Sequence, residues 1–236
     1  MTGARMSRPL VGPAVGLAIL STAVAGCSTG EPEEPSHSTA TQTLSVGEVC
    51  AGLFPEAGEG GQALERVLES TRFQVREEQK NPDVRAVAKA MEDAYRSGKK
   101  IRDMPQPVCE VAGTDKGSRI PTARVMFTAY SKQAADPADL PGVGARDVRV
   151  TTQRKRVDLT FDCVSSRVGS TQDVPLQVTL AFQERWDESM GDAVLGQDYL
   201  TVTHSAALAV AKELGCVNNG GLPARADGLP KPEGGS

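Results

Sequence analysis

Nine residues in the last third of the chain limit the possible folds more than any others. From Val174 the run VPLQVTLAF places Val174, Leu176, Val178, Leu180 and Phe182 on one side, with Gln177 and Thr179 opposite. A period of two over this length belongs to a β-strand with one covered and one wetter face. Two more runs repeat the pattern. Ala123, Val125, Phe127 and Ala129 alternate with Arg124, Met126, Thr128 and Tyr130. Val157, Leu159, Phe161 and Cys163 alternate with Arg156, Asp158, Thr160 and Asp162. Clean alternation of this kind indicates antiparallel strands with one packed face, rather than the two-sided apolar strands of a parallel sheet. Shorter strands are predicted over residues 108–112 and 147–151.

Helical spacing brackets these strands. Ala63, Leu64, Val67 and Leu68 predict a helix over 62–70. Val84, Val87, Ala88, Met91 and Tyr95 share one face of a second, with Asn81-Pro82 as its N-terminal signal and Gly98 as its stop. A last helix is expected over 201–214, ended by Gly215. Helices, a block of strands and a closing helix predict an α+β fold, an antiparallel sheet with helices packed on its apolar face. The βαβ alternation of a doubly wound fold is missing, and no internal repeat is found.

The N-terminus carries an address. Arg5 and Arg8 precede the uncharged stretch Leu10–Ala25, the order of a secretory signal peptide, and the stretch is short for a membrane span of roughly 20 residues. Val24-Ala25-Gly26-Cys27 resembles the lipobox of bacterial lipoproteins. That resemblance implies cleavage after residue 26, a lipid on Cys27, and a place on the extracytoplasmic face of the cell membrane. Residues 27–46, rich in Ser, Thr, Pro and Glu, are then a flexible tether. Residues 47–217 form one domain of roughly 170 residues, enough for a single core. Residues 218–236, mostly Gly, Pro and polar, are expected to be a disordered tail.

Of five cysteines, Cys50, Cys109, Cys163 and Cys216 remain after Cys27. An even remainder in an exported chain reads as two disulfides. No CxxC spacing points to a metal or redox site. Cys163 continues the apolar series of its strand and Cys216 follows the last helix, so these two should tie that helix to the sheet. Cys50 and Cys109 pair by elimination. Each bridge closes a loop of roughly 55–60 residues, about 4 kcal/mol in the chain-entropy model. The layout also resembles the small, uncharacterised two-disulfide lipoproteins of high-GC actinobacteria, on the lipobox, the Cys before the first helix and the ending Leu214-Gly215-Cys216. That resemblance brings no activity with it.

Candidate chemistry is sparse. Without Arg5 and Arg8 the balance is 24 basic to 30 acidic side chains, net −6, the wrong sign for a nucleic-acid footprint. Lys99-Lys100 and Arg154-Lys155-Arg156 read as solvated element ends. His204 is the one histidine outside the tether; it reads as a helix-surface residue beside Ser205, which faces elsewhere on the helix. Ser97-Gly98-Lys99-Lys100 matches SxxK, but at a helix end rather than a start. Gly58-Glu59-Gly60-Gly61 lacks the preceding strand of a dinucleotide turn. Asp187 to Asp192 lacks the ligand spacing of an EF-hand loop. Asp158 and Asp162 share a strand face but stand roughly 13 Å apart, beyond the ~5–9.5 Å of glycosidase pairs. A cross-strand carboxylate would be needed to complete such a pair. Trp186 and Tyr199, at the end of the longest strand and just beyond it, are the candidate ligand contacts. No cofactor is implied. The expectation is a lipid-anchored surface module that binds a protein, an envelope polymer or a small ligand. The alternatives are an envelope hydrolase using strand-face carboxylates and an accessory subunit of a membrane complex.

Overall fold

The computed structural model describes residues 43–55, 58–74, 81–98, 106–114, 122–131, 148–153, 155–184 and 195–233. Cys27, Trp186 and the 187–192 loop lie outside them, as do Lys99 and Lys100. Seven strands form one antiparallel sheet: β1 (Thr43–Leu44), β2 (Phe73–Gln74), β3 (Gln106–Gly113), β4 (Thr122–Ser131), β5 (Arg149–Gln153), β6 (Arg156–Cys163) and β7 (Leu176–Glu184). Their order is β1-β2-β3-β4-β7-β6-β5. β5, β6 and β7 make a meander whose last strand returns beside β4, a Greek-key arrangement. The fold is the α+β class expected, with the helices on the apolar face of the sheet.

Alternation in the sequence becomes alternation in space. Leu176, Val178, Leu180 and Phe182 of β7 are fully buried, as are Val157, Leu159, Phe161 and Cys163 of β6. β3 departs from the simple pattern. Its pairing with β4 slips between Pro107 and Cys109, and this bulge leaves the consecutive residues Val108 and Cys109 both buried.

Four helices complete the domain among the described residues: α1 (Val46–Val49), α2 (Glu59–Leu68), α3 (Val84–Ser97) and α4 (Leu195–Leu214). α3 packs on β4, and α4 packs on β6, β7 and α3, with α2 laid against α4. Val202, Ala206, Ala207, Val210, Ala211 and Leu214 of α4 are all buried. Apolar contact on several sides is what makes this helix nearly apolar all round. Its small residues allow close approach, and Gly60 of α2 meets Ser205 with no room for a Cβ. Thr203 is buried on the same helix and donates its hydroxyl to the Tyr199 carbonyl one turn back, at 2.7 Å.

One local expectation changes. α3 is capped by Asp83, whose carboxylate accepts from the Ala86 amide at 2.7 Å, not by Asn81. Asn81 instead bridges two elements: its side-chain amide donates to the carbonyls of Val49 (2.9 Å) and Glu110 (3.1 Å), and its carbonyl accepts from the Glu110 amide (2.8 Å).

The C-terminal segment is a larger correction. The disordered tail expected from residue 218 is instead ordered structure through Glu233. Val217–Gly221 forms a 3-10 turn in which Asn218, Asn219, Gly220 and Gly221 have φ of +50°, +51°, +70° and +79°. Left-handed backbone is costly for most residues, and Asn and Gly tolerate it best. Gly220 sits on Phe161, where an added Cβ would come within 2.5 Å of the ring. Leu222 and Ala226 are buried beyond the turn. The segment ends on the outer edge of β5, where the Glu233 amide donates to the Val150 carbonyl at 2.8 Å.

Both disulfides expected are formed. Cys50–Cys109 ties the end of α1 to β3, and Cys163–Cys216 ties the end of α4 to β6, with Cα separations of 5.4 and 5.0 Å.

Candidate functional site

The strand-face carboxylates do not assemble. Asp158 lies opposite Ala181 on β7 and Thr151 on β5, and Asp162 lies opposite Gln177. Asp158 accepts from the Arg156 guanidinium at 2.8 Å, and Asp162 from the Gln177 amide at 3.3 Å. Around them the face holds threonines, with the Thr160 and Thr179 hydroxyls 2.8 Å apart. The carboxylate partner that a glycosidase-type pair needs does not face either aspartate among the described residues.

A cleft lies elsewhere, between α2, the first half of α4 and the C-terminal segment. It encloses about 280 Å³, and Glu59, Gln62, Arg66, Asp198, Thr201 and Arg225 supply most of its polar wall. Gln62 and Arg66 also line a shallower hollow of about 460 Å³ that continues along α2 past Glu69. Two ion pairs shape the cleft. Arg66 forks onto Asp198, with Nη2 2.6 Å and Nε 3.1 Å from Oδ1. Arg225 reaches Glu59 at 2.9 Å, drawing the C-terminal segment onto α2. The Asp198 carboxylate holds the Arg66 guanidinium more firmly in its charged form.

His204 lies close to this cleft and anchors its wall. The ring is buried, not on the helix surface as expected, and its Nε2 meets the Pro223 carbonyl at 2.9 Å. Burial pushes the imidazole below its ordinary pKa, against the opposing pull of the Pro223 carbonyl, Glu59 and Asp227. Its contacts bind the C-terminal segment to α4.

Comparison of the chain with protein-family models, curated proteins and solved structures finds no match.

The chemistry of the cleft therefore rests on its own residues. Its charges are engaged with one another, and the Thr201 hydroxyl donates to the Gln197 carbonyl at 2.8 Å. Such a wall offers a polar ligand hydrogen bonds rather than net charge. Among the described residues no three His, Cys, Asp or Glu side chains are placed to share a metal ion.

Tyr199, the expected ligand contact, packs in the core. It is 5% exposed, its ring lies 5.0 Å from that of Phe182 at a tilt, and its hydroxyl donates to Glu184. Ser97 donates its hydroxyl to the Ala94 carbonyl at the C-terminus of α3 (3.1 Å), far from the helix start that an SxxK serine needs. The residues that sequence reasoning missed are Arg66, Asp198 and Arg225. Each is an ordinary surface residue by composition, and the Arg66–Asp198 pair is 132 positions apart in sequence.

Proposed function

We propose that this chain is an exported lipoprotein, held on the extracytoplasmic face of the cell membrane by lipid on Cys27, whose α+β domain is a binding or interaction module. One observation carries the reading. Four of the five cysteines are paired in two disulfides within the domain, and the fifth is the Cys27 of Val24-Ala25-Gly26-Cys27. Disulfides of this kind form and persist in oxidising compartments, which agrees with an export signal. The polar cleft between α2, α4 and the C-terminal segment supports binding, because it is lined by hydrogen-bonding side chains such as Gln62, Thr201 and Arg225.

Mass spectrometry of the membrane fraction tests the anchor. The expected mature chain begins at Cys27 and carries a diacylglycerol mass there. Cys27→Ala should yield an unprocessed or released chain without lipid. Membrane association of that variant that survives high salt would overturn the reading.

A further inference from the structure

The ion pairs inside the α2–α4 cleft restrict what it can hold. Of the residues that line it, Ala226 alone is apolar, and the hollow that continues it along α2 has no apolar lining residue. A nucleobase, an aromatic ring or an acyl chain therefore finds no surface to pack against. An anion finds no spare cation. Arg66 is forked on Asp198, and Arg225 lies 2.9 Å from Glu59 and 3.8 Å from Asp227. The third carboxylate, Asp227, has a side chain 74% exposed to water, so a cation gains little by pairing with it.

What the cleft offers is hydrogen bonding. Gln62 and Arg66 stand one turn apart on α2, and Gln197 and Thr201 one turn apart on α4, so each helix presents one polar stripe to the cleft. Both glutamines are exposed, and their side-chain amides make no hydrogen bond among the described residues. Each amide has a carbonyl to accept and two N–H groups to donate. Arg66 uses Nε and Nη2 on Asp198, which leaves its Nη1 hydrogens for a ligand. Donors and acceptors side by side match hydroxyl groups, each of which both donates and accepts. The cleft and the hollow follow α2 from Glu59 to Glu69, about 15 Å at 1.5 Å per residue, longer than a single sugar ring.

We propose that this cleft binds a neutral saccharide chain, a short run of sugar rings with hydroxyl groups and no ionised group. Gln62 and Gln197 take its hydroxyls from the two helices, and the Arg66–Asp198 pair fixes the spacing between them. The proposal rests on the binding-module reading and names its ligand class.

The test uses the full chain, followed by calorimetry and amide NMR. The probes are neutral trisaccharides of glucose, galactose, mannose and N-acetylglucosamine. Their controls are trisaccharides of the same size with a uronate or a free amine on each ring. At least one neutral probe should bind, shift the amide signals of 59–69 and 197–201, and hold its affinity as salt is raised. Gln62→Ala and Gln197→Ala leave both ion pairs in place, and each should weaken binding about fivefold, the scale of one hydrogen bond. A soluble polysaccharide of the same sugar separates the sources: competition at the same amides identifies a polymer chain as the ligand, and its failure a free oligosaccharide. Three results would each overturn the proposal: no neutral probe binds, a charged control binds as tightly, or both alanine variants bind as the unmodified chain does. Lipid on Cys27 is read independently by mass, so a lipidated chain that ignores every sugar loses this ligand class alone. A charged control that shifts the cleft amides removes the neutral ligand and leaves the module reading standing.

Discussion

Two disulfides hold the domain at opposite ends of its sequence, and their surroundings differ more than their loops do. The bonded cysteines are separated by 59 residues in Cys50–Cys109 and 53 in Cys163–Cys216. Loop-closure entropy is nearly the same for both, about 4 kcal/mol apiece in the chain-entropy model. Any difference in their worth must come from the folded state. The N-terminal bridge joins a four-residue helix to β3, with Asn81 as its polar support. The C-terminal bridge sits where α4, β6 and the C-terminal segment converge. Ser165 is fully buried there and donates to the Leu214 carbonyl at 2.6 Å, while Ser170 donates to the Cys163 carbonyl at 2.8 Å. The Val217 amide reaches the Val164 carbonyl at 2.8 Å. One bridge fastens a four-residue helix. The other fastens the helix on which the rest of the helical layer packs.

The largest expected effect is the difference between the two bridges. Replacing Cys163 and Cys216 together by Ala should lower the melting temperature further than replacing Cys50 and Cys109, although both lose a similar entropic contribution. Thermal unfolding of the two paired variants measures it. Equal losses would show that loop entropy alone sets their value and would erase the contrast.

Two single substitutions, with Gly98→Ala as a reference for the first, sharpen the contrast. Gly220→Ala puts a Cβ on Phe161 and on a left-handed backbone, and should cost at least the ~1–2 kcal/mol of that backbone strain. Gly98→Ala has the same left-handed requirement with open space around it, so it should cost less. At the other bridge, Asn81→Ala leaves the Val49 carbonyl and the Glu110 amide without that partner, roughly 1–3 kcal/mol if water does not replace it. Denaturant unfolding reads both, and amide exchange should place the first loss near β6 and the second near β3.

The smallest expected effect is a pH response confined to the C-terminal side. His204 has its pKa lowered in the folded state, so the unfolded chain binds more protons as pH falls. Its stabilising contribution is complete above the unfolded value near 6.5 and is lost as pH drops below it. Protection of the 222–228 amides, taken relative to their intrinsic exchange rate at each pH, should fall below about pH 6.5, and His204→Gln should flatten that response. An unchanged slope in the variant would assign the effect to other groups.

These regions also differ in how far the sequence could be read. β4, β6 and β7 were legible because period-two burial forces every other residue to be apolar, and the alternation of β6 carried Cys163 to the covered face. That orientation made the Cys163–Cys216 bridge deducible. β1 and β2 were not legible, since two residues are too short to carry a period. The cleft left no mark either, because Arg66 and Asp198 each look like solvated side chains until α2 and α4 lie side by side.

The C-terminal segment shows where the division falls. The class of fold and the disulfide framework followed from the sequence, because each rests on a local pattern whose physical requirement is unambiguous. Asn218-Asn219-Gly220-Gly221 has no such reading. The conformational freedom that suits these residues to a disordered chain also lets them enter a left-handed turn. Contacts from elsewhere in the fold choose between them. Phe161 accepts Gly220 at close range, and His204 meets the Pro223 carbonyl. The burial of Leu222 and Ala226 then outweighs the entropy of ordering the chain. Those contacts come from β6 and α4, remote in sequence or on another face of the helix, and no local pattern could announce them.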